Sequence, residues 1–376
     1  ASDSNPSDTR NTFHKARDYF SDIPRSVRIQ EVKDLSDIAN ELKYIHATFG
    51  AGLFEEALGY YKNNIHEVLR NILFNFSFQV KHMSAFFKNE NIVLSSPTDR
   101  EWVYRNYAYG LHYFGDNEKA MNMIQKAIKI NIDEKNWSSL SSCLGTLCNI
   151  YDENDNIYAC HSVAELRYNL CKHFNLSDID NAMIFLTGTE IKLGNFVKSN
   201  EFYRSEENKD SEDPIFLYWK WENEVFQDNY DIRLWHEAYQ MATDSNFLIT
   251  KSYCLYSFAL WKVKLGEKEL AYDYINRAIN LVNTMGKYTP NYYALKAYIL
   301  YAFHKYEDAK KQLLFINEDK SNYYSALTWK LLGYEVKAKR CALVAYRRAW
   351  AQGPPYIYKL SLNNMPTAVG RISIVK

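Results

Sequence analysis

An all-α array of paired helices is the fold class this sequence predicts, and three observations predict it. A six-residue turn signal, Gly115-Asp-Asn-Glu-Lys-Ala120, lies between helical patterns at Glu101–Phe114 and Asn117–Ile130. The signal recurs as Gly52-Leu-Phe-Glu-Glu-Ala57, Gly266-Glu-Lys-Glu-Leu-Ala271, His304-Lys-Tyr-Glu-Asp-Ala309 and Gly333-Tyr-Glu-Val-Lys-Ala338, with a weaker copy at Gly194-Asn-Phe-Val-Lys-Ser199. Such a turn needs a glycine, and an alanine after it lets two helices cross closely, so the recurrence marks stacked helical hairpins. Finally, 47% apolar and 24% charged residues are the proportions of a packed globular chain rather than a disordered one.

At the N-terminus, residues 1–10 are rich in serine and aspartate and read as a disordered lead-in. From 11 to 95 the pattern predicts an irregular N-terminal helical pack. It opens with a short helix over Thr12–Phe20 that Pro24 stops, and then Val27–Phe49 carries apolar residues at helical spacing. Phe54–Asn63 answers that helix. Ile65–Phe87 carries an apolar face too wide for one exposed flank and is expected to pack against the helices C-terminal to it. Leu94–Thr98 is a proline-containing loop, and the repeat array proper is expected over 96–353.

Within the array, Glu101–Ile130 is the clearest hairpin. Trp137–Tyr151, with Gly145 at a small position, pairs with Ile157–Phe174, and Ser177-x-x-Asp180 has the form of a capping box opening the next helix. Asp180–Leu193 pairs with Asn195–Tyr203, and Ser205–Asp213 is an acidic loop ended by Pro214. Ile215–Phe226 and Ile232–Ala242 form a further hairpin whose register the pattern does not set. A capping tail is expected over 354–376.

Counting Ala120 as the twentieth position of a 34-residue unit, Tyr104, Tyr107, Ala108, Leu111, Ile124 and Ala127 occupy the core positions of the tetratricopeptide repeat. The same register gives Leu255, Phe258, Ala259, Ile275 and Ala278 around Ala271. It gives Tyr293, Ala297, Leu300 and Leu313 around Ala309, and Ala326, Trp329, Ala342 and Ala345 around Ala338. The chain thus resembles that family, and the resemblance implies a superhelix (α-solenoid) of about eight degenerate tetratricopeptide-like hairpins. In such arrays the first helix of each hairpin lines the concave face. The matching positions here are Trp102, Arg105, Tyr109 and His112, with Asn106 adjacent, in the Ala120 unit. Tyr253 and Tyr256 belong to the Ala271 unit, Tyr298 and Tyr301 to the Ala309 unit. Aromatic residues interspersed with Arg, Asn and His are the types that anchor protein or peptide partners. Tyr218, Trp219 and Trp221 make a further aromatic cluster.

Other chemistries are poorly served. Lysine plus arginine equals aspartate plus glutamate at 45 each, so no net field draws in nucleic acid. The Lys337–Arg348 stretch reads as one amphipathic helix. Cys143, Cys148, Cys160, His161, Cys171 and His173 crowd two helices but contain no C-x-x-C pair, and Cys160 to Cys171 spans about 16 Å along a helix. Buried structural thiols are expected there, with no metal and no cofactor. Asp152-x-Asn154-x-Asn156 opens like a calcium loop, but Ile157 stands where glycine is required and Val163 where glutamate is. No Walker A, G-x-G-x-x-G, G-x-S-x-G or H-E-x-x-H motif is present, so no catalytic residue is assigned and the chain is expected not to be an enzyme. No apolar run reaches membrane-spanning length and Ala1–Arg10 has no signal-peptide core, so a cytoplasmic location without a membrane partner is expected.

The C-terminal stretch Tyr346-Arg-Arg-Ala-Trp350-Ala-Gln-Gly353-Pro-Pro355-Tyr356 resembles the segment closing the repeat sensor of bacterial multidomain signalling ATPases of the STAND type. That resemblance implies a sensor whose upstream domains are missing from this chain, in keeping with its start without methionine. The resulting expectation is a non-catalytic protein- or peptide-recognition module. The alternatives are a free-standing peptide-sensing regulator and, in another class, a helical-repeat enzyme or nucleic-acid binder.

Overall fold

The computed structural model describes residues 6–25, 27–89, 91–154, 156–204, 213–227, 231–287 and 289–350, with backbone alone at some helix ends. It is all-α apart from a two-residue antiparallel ribbon, in which β1 (Phe87–Lys88) pairs with β2 (Asn91–Ile92). Two compact units emerge. The first comprises residues 1–136 with 284–287, and the second 137–283 with 288–376. The division falls inside the stretch that the repeat pattern treats as one array.

The first unit holds α1 (Pro6–Ser21), α2 (Ala39–Gly50), α3 (Phe54–Asn64), α4 (Phe76–Ser84), α5 (Pro97–Phe114) and α6 (Asn117–Asp133). Helix α1 begins at Pro6, so the expected lead-in is helical over its second half; proline at a helix start removes a donor that would be unpaired anyway. Val27–Phe49 is not one helix. Two 3₁₀ turns, Ile29–Glu31 and Leu35–Ile38, precede α2, because Asp34 accepts from Ser36 N and Asp37 reaches back to the Asp34 backbone, capping a new start. Ile65–Phe87 is likewise broken. A π-helical turn, Val68–Ile72, runs into Phe74 in the left-handed region (φ 48°), and Asn75 then caps α4 through Phe78 N.

The hairpin turn between α5 and α6 is as the sequence predicts. Gly115 ends α5 at φ 98°, and Asp116 caps α6 by accepting from Lys119 N at 3.1 Å. Gly52, Gly194, Gly266 and Gly333 adopt the same left-handed conformation, and His304 does so without being glycine. Ala120, Ala108, Ile124 and Ala127 are fully buried between the paired helices.

The second unit stacks α7 (Trp137–Glu153), α8 (Ile157–Phe174), α9 (Ile179–Leu193), α10 (Phe196–Arg204), α11 (Pro214–Phe226), α12 (Ile232–Asp244), α13 (Leu248–Lys264), α14 (Lys268–Thr284), α15 (Pro290–Ala302), α16 (Tyr306–Leu314), α17 (Tyr323–Leu331) and α18 (Glu335–Trp350). Consecutive pairs form the hairpins of an α-solenoid. The register positions Leu255, Phe258, Ala259, Ile275 and Ala278 are all core, as are Ala297, Leu300, Leu313, Ala326, Trp329, Ala342 and Ala345. The Ser177 capping box does not form. Asp178 precedes α9 without capping it, because its carboxylate accepts instead from Ser141 Oγ (2.7 Å) and Arg167 Nη2 (2.6 Å). Of the C-terminal motif, Tyr346–Trp350 is the backbone end of α18; the remainder and the expected tail lie outside the described residues, as does the acidic loop up to 212.

Candidate functional site

In the first unit, α5 presents Trp102, Arg105 and Tyr109 half-buried, one helical turn apart. Their face meets the chain's own preceding segment. His66 lies edge-on to Trp102 at 4.8 Å between ring centroids, Lys62 Nζ sits 5.0 Å from the same ring, and Arg70 stacks over Tyr109 at 4.1 Å. Arg105 pairs with Glu101 at 2.9 Å. Asn106, expected at the groove, is 1% exposed: it donates to Trp102 O, and its side-chain and backbone oxygens accept from Arg70 and Gln79. His112 is 5% exposed, with Nδ1 3.0 Å from Asn117 Oδ1. This placement corrects the expectation of an open groove lined by Asn106 and His112. The chain before α5 covers this face itself, with His66 and Arg70 against Trp102 and Tyr109 and Phe76 of α4 stacked on Tyr113 at 4.4 Å. His66 feels the consequence: burial, then the charges of Arg70, Arg105 and Lys62, lower its pKa to about 3.

The second unit gives a different picture. Tyr253, on α13, is half-buried and donates to Glu153 Oε1 on α7 at 3.1 Å, across 100 residues of sequence. Tyr256 stacks on Tyr292 of α15, at 4.5 Å and 7° between planes. Tyr298 lies 5.4 Å from Tyr324 of α17, and Tyr301 5.2 Å from Tyr306. Lys320, in the 3₁₀ turn Glu318–Lys320 before α17, donates to Asn154 Oδ1 at 2.8 Å across 166 residues. Tyr253 and Lys320 thus bring α13 and the turn before α17 back to the C-terminal end of α7.

Between them lies a polar cluster that sequence reading missed. Lys192 (α9) pairs with Asp152 (α7) and sits 5.0 Å from the Trp219 ring (α11). Glu222, one turn beyond Trp219, accepts from the Tyr218 hydroxyl and from Ser257 Oγ of α13 at 2.7 Å. Burial raises the Glu222 carboxyl above its ordinary range, against the opposing pull of the Ser257 and Tyr218 hydroxyls. Burial would lower the Lys192 ammonium, but Asp152 outweighs it and raises the value. A glycine makes room for this cluster: a Cβ on Gly188 would stand 2.7 Å from the Trp219 ring. Gly145 does the same for Arg167 at 2.8 Å. These two mid-helix glycines were the available signal.

The sulfurs behave as packing groups. All six cysteines are buried and unbridged, and Cys148 and Cys160 each donate to the other's backbone carbonyl, at 3.8 and 3.3 Å. Among the described residues no group of three His, Cys, Asp or Glu side chains is placed to hold a metal ion. Asp152 and Asn156 of the calcium-like stretch are engaged by Lys192 and by capping α8. No described helix is long and apolar enough to cross a membrane.

No family model matches the chain. No curated protein matches it either. Among solved structures it is similar to one described as "Functional Characterization of Pseudomonas Aeruginosa pilF", at 14% identity, over 75% of this chain and 100% of that one, with a TM-score of 0.29. A likeness that weak carries no part of the argument, and the fold stands on the helices and turns themselves.

Proposed function

We propose that the chain is a non-catalytic recognition module that binds a protein or peptide segment along the first helices of the second unit. The observation that carries the reading is the row of half-buried Tyr253, Tyr256, Tyr298 and Tyr301 on the consecutive first helices α13 and α15, with Tyr253 donating to Glu153, the neighbour of the Lys192-paired Asp152. Aromatic side chains with a polar tip offer rigid contact area at low entropic cost, and fixed charges next to them orient a partner. Lys192 is held by Asp152 and Glu222 by the Tyr218 and Ser257 hydroxyls, an arrangement that suits orientation better than proton transfer. On the C-terminal resemblance, the finer reading is the sensor of a larger bacterial signalling protein in the cytoplasm.

The test replaces Tyr256, Tyr298 and Tyr301 together by serine in the full chain. Partner capture from the native host is then compared, with circular dichroism as the folding control. The triple variant is expected to stay folded and lose the partner that the unaltered chain retains. A folded triple variant that retains the same partner would place recognition elsewhere. Steeply salt-dependent binding of RNA or DNA would instead favour a nucleic-acid binder.

A further inference from the structure

The first unit contains a cavity of its own. It measures about 420 Å³ and lies between α1, α2 and α4. Phe13 and Phe20 of α1, Phe49 of α2 and Phe78 of α4 form its walls. Phe13 is also what seats α1, since its ring fills the place a Cβ on Gly50 would take, 2.4 Å away. The volume lies within the range of about 300–1,000 Å³ that holds small ligands.

The cavity's charges are one-sided. No aspartate or glutamate lines it, whereas Lys43 and Lys81 both do. Each ammonium stands at the edge of the apolar wall, Lys43 at 5.6 Å from the Phe20 ring and Lys81 at 5.6 Å from the Phe78 ring. Both lysines are exposed, and among the described residues neither has a carboxylate within ion-pair distance. The remaining polar liners are His46, which is exposed, and His82, whose Nδ1 faces its own helix at Phe78 O, 2.8 Å away.

We propose that this cavity is a binding site for a single-chain carboxylate amphiphile, with its hydrocarbon chain among the phenylalanines and its carboxylate at Lys43 and Lys81. Apolar walls reward burial of a hydrocarbon chain, and two unpaired cations at the mouth favour an anionic end. A peptide fits the same cavity poorly. Its backbone amides would enter a lining with no Ser, Thr, Asn or Gln to receive them, at the cost of unsatisfied polar groups.

The experiment is calorimetric titration of the full chain with dodecanoate, below its micellar concentration and at neutral pH. Saturable binding of one molecule per chain is expected, with dodecanol binding about tenfold more weakly for want of the charge. Lys43→Gln with Lys81→Gln, at exposed positions that leave the core intact, is expected to bring dodecanoate down to the level of dodecanol. Ala16→Phe fills the cavity from α1 and is expected to abolish binding of both. The proposal is overturned by the absence of saturable binding, by equal affinity for dodecanol and dodecanoate, or by indifference to the lysine replacements. Tighter binding of a peptide ending in a large apolar residue and a free carboxylate would also overturn it.

Discussion

Adding one methyl group should have opposite effects at Gly188 and at Gly59. Gly188 is buried in α9, where a Cβ would meet Trp219 Cε2 at 2.7 Å and its Cζ2 and Nε1 at 3.0 Å. The indole has little room to retreat, because Tyr218 lies 4.9 Å from it and Lys192 5.0 Å, both inside the polar cluster of the second unit. Overpacking of this kind costs about 1–3 kcal/mol, and the preference of a helix for alanine over glycine returns about 0.5–1 kcal/mol. Gly188→Ala should therefore destabilise the second unit by about 1 kcal/mol, the central difference of the two. Gly59 sits on the exposed side of α3 with nothing within 4 Å of a Cβ, so Gly59→Ala keeps only the helical gain of about 0.5–1 kcal/mol. Urea unfolding followed by far-ultraviolet circular dichroism reads both, and the Gly188→Ala variant should also show altered tryptophan emission. A Gly188→Ala midpoint at or above that of the unaltered chain would refute the packing of Trp219 on α9.

Three further outcomes are expected. Gly115→Ala, at φ 98°, should cost about 1–2 kcal/mol, and Asp116→Ala about 1 kcal/mol through its lost bond to Lys119 N, both read by thermal unfolding. Arg167 is 4% exposed and pairs with Asp178, so Asp178→Ala should strand a buried guanidinium at a cost of about 3 kcal/mol, measured in the same way. His66, at about 3 in the folded chain against 6.5 unfolded, takes up its proton only on unfolding within that window. Its contribution is complete above pH 6.5 and lost as pH falls towards 3, so His66→Phe should flatten the acid decline in stability of the first unit.

The turns were legible because they are local. A left-handed residue, a cap and a small residue five positions after the turn glycine are written within six residues, as at Gly115–Ala120, and they carry the register of every regular hairpin. His304 shows the limit of that rule, since it takes the left-handed turn position without being glycine. The breaks at Asp34 and Phe74 were hidden because apolar spacing continues across them while capping bonds interrupt the helix. The polar cluster was invisible for another reason. Asp152, Lys192, Glu222 and Ser257 lie on four different helices, and only folding brings them together. The poor register between 137 and 242 also has a structural cause. Arg167 and Trp219, large side chains, pack directly on Gly145 and Gly188, where a regular repeat packs smaller groups. Of the α5 positions picked as a groove, Trp102 and Tyr109 lie half-buried against the chain's own His66 and Arg70, a pairing that spacing within one helix does not reveal.

The central claim is that first helices of the second unit hold the partner. Hydrogen–deuterium exchange on the full chain, with and without the captured partner, tests it most directly. Protection is predicted in α11, α13 and α15, around Trp219, Tyr256 and Tyr298. Protection confined to α8, α12 and α14, or to the first unit alone, would contradict it.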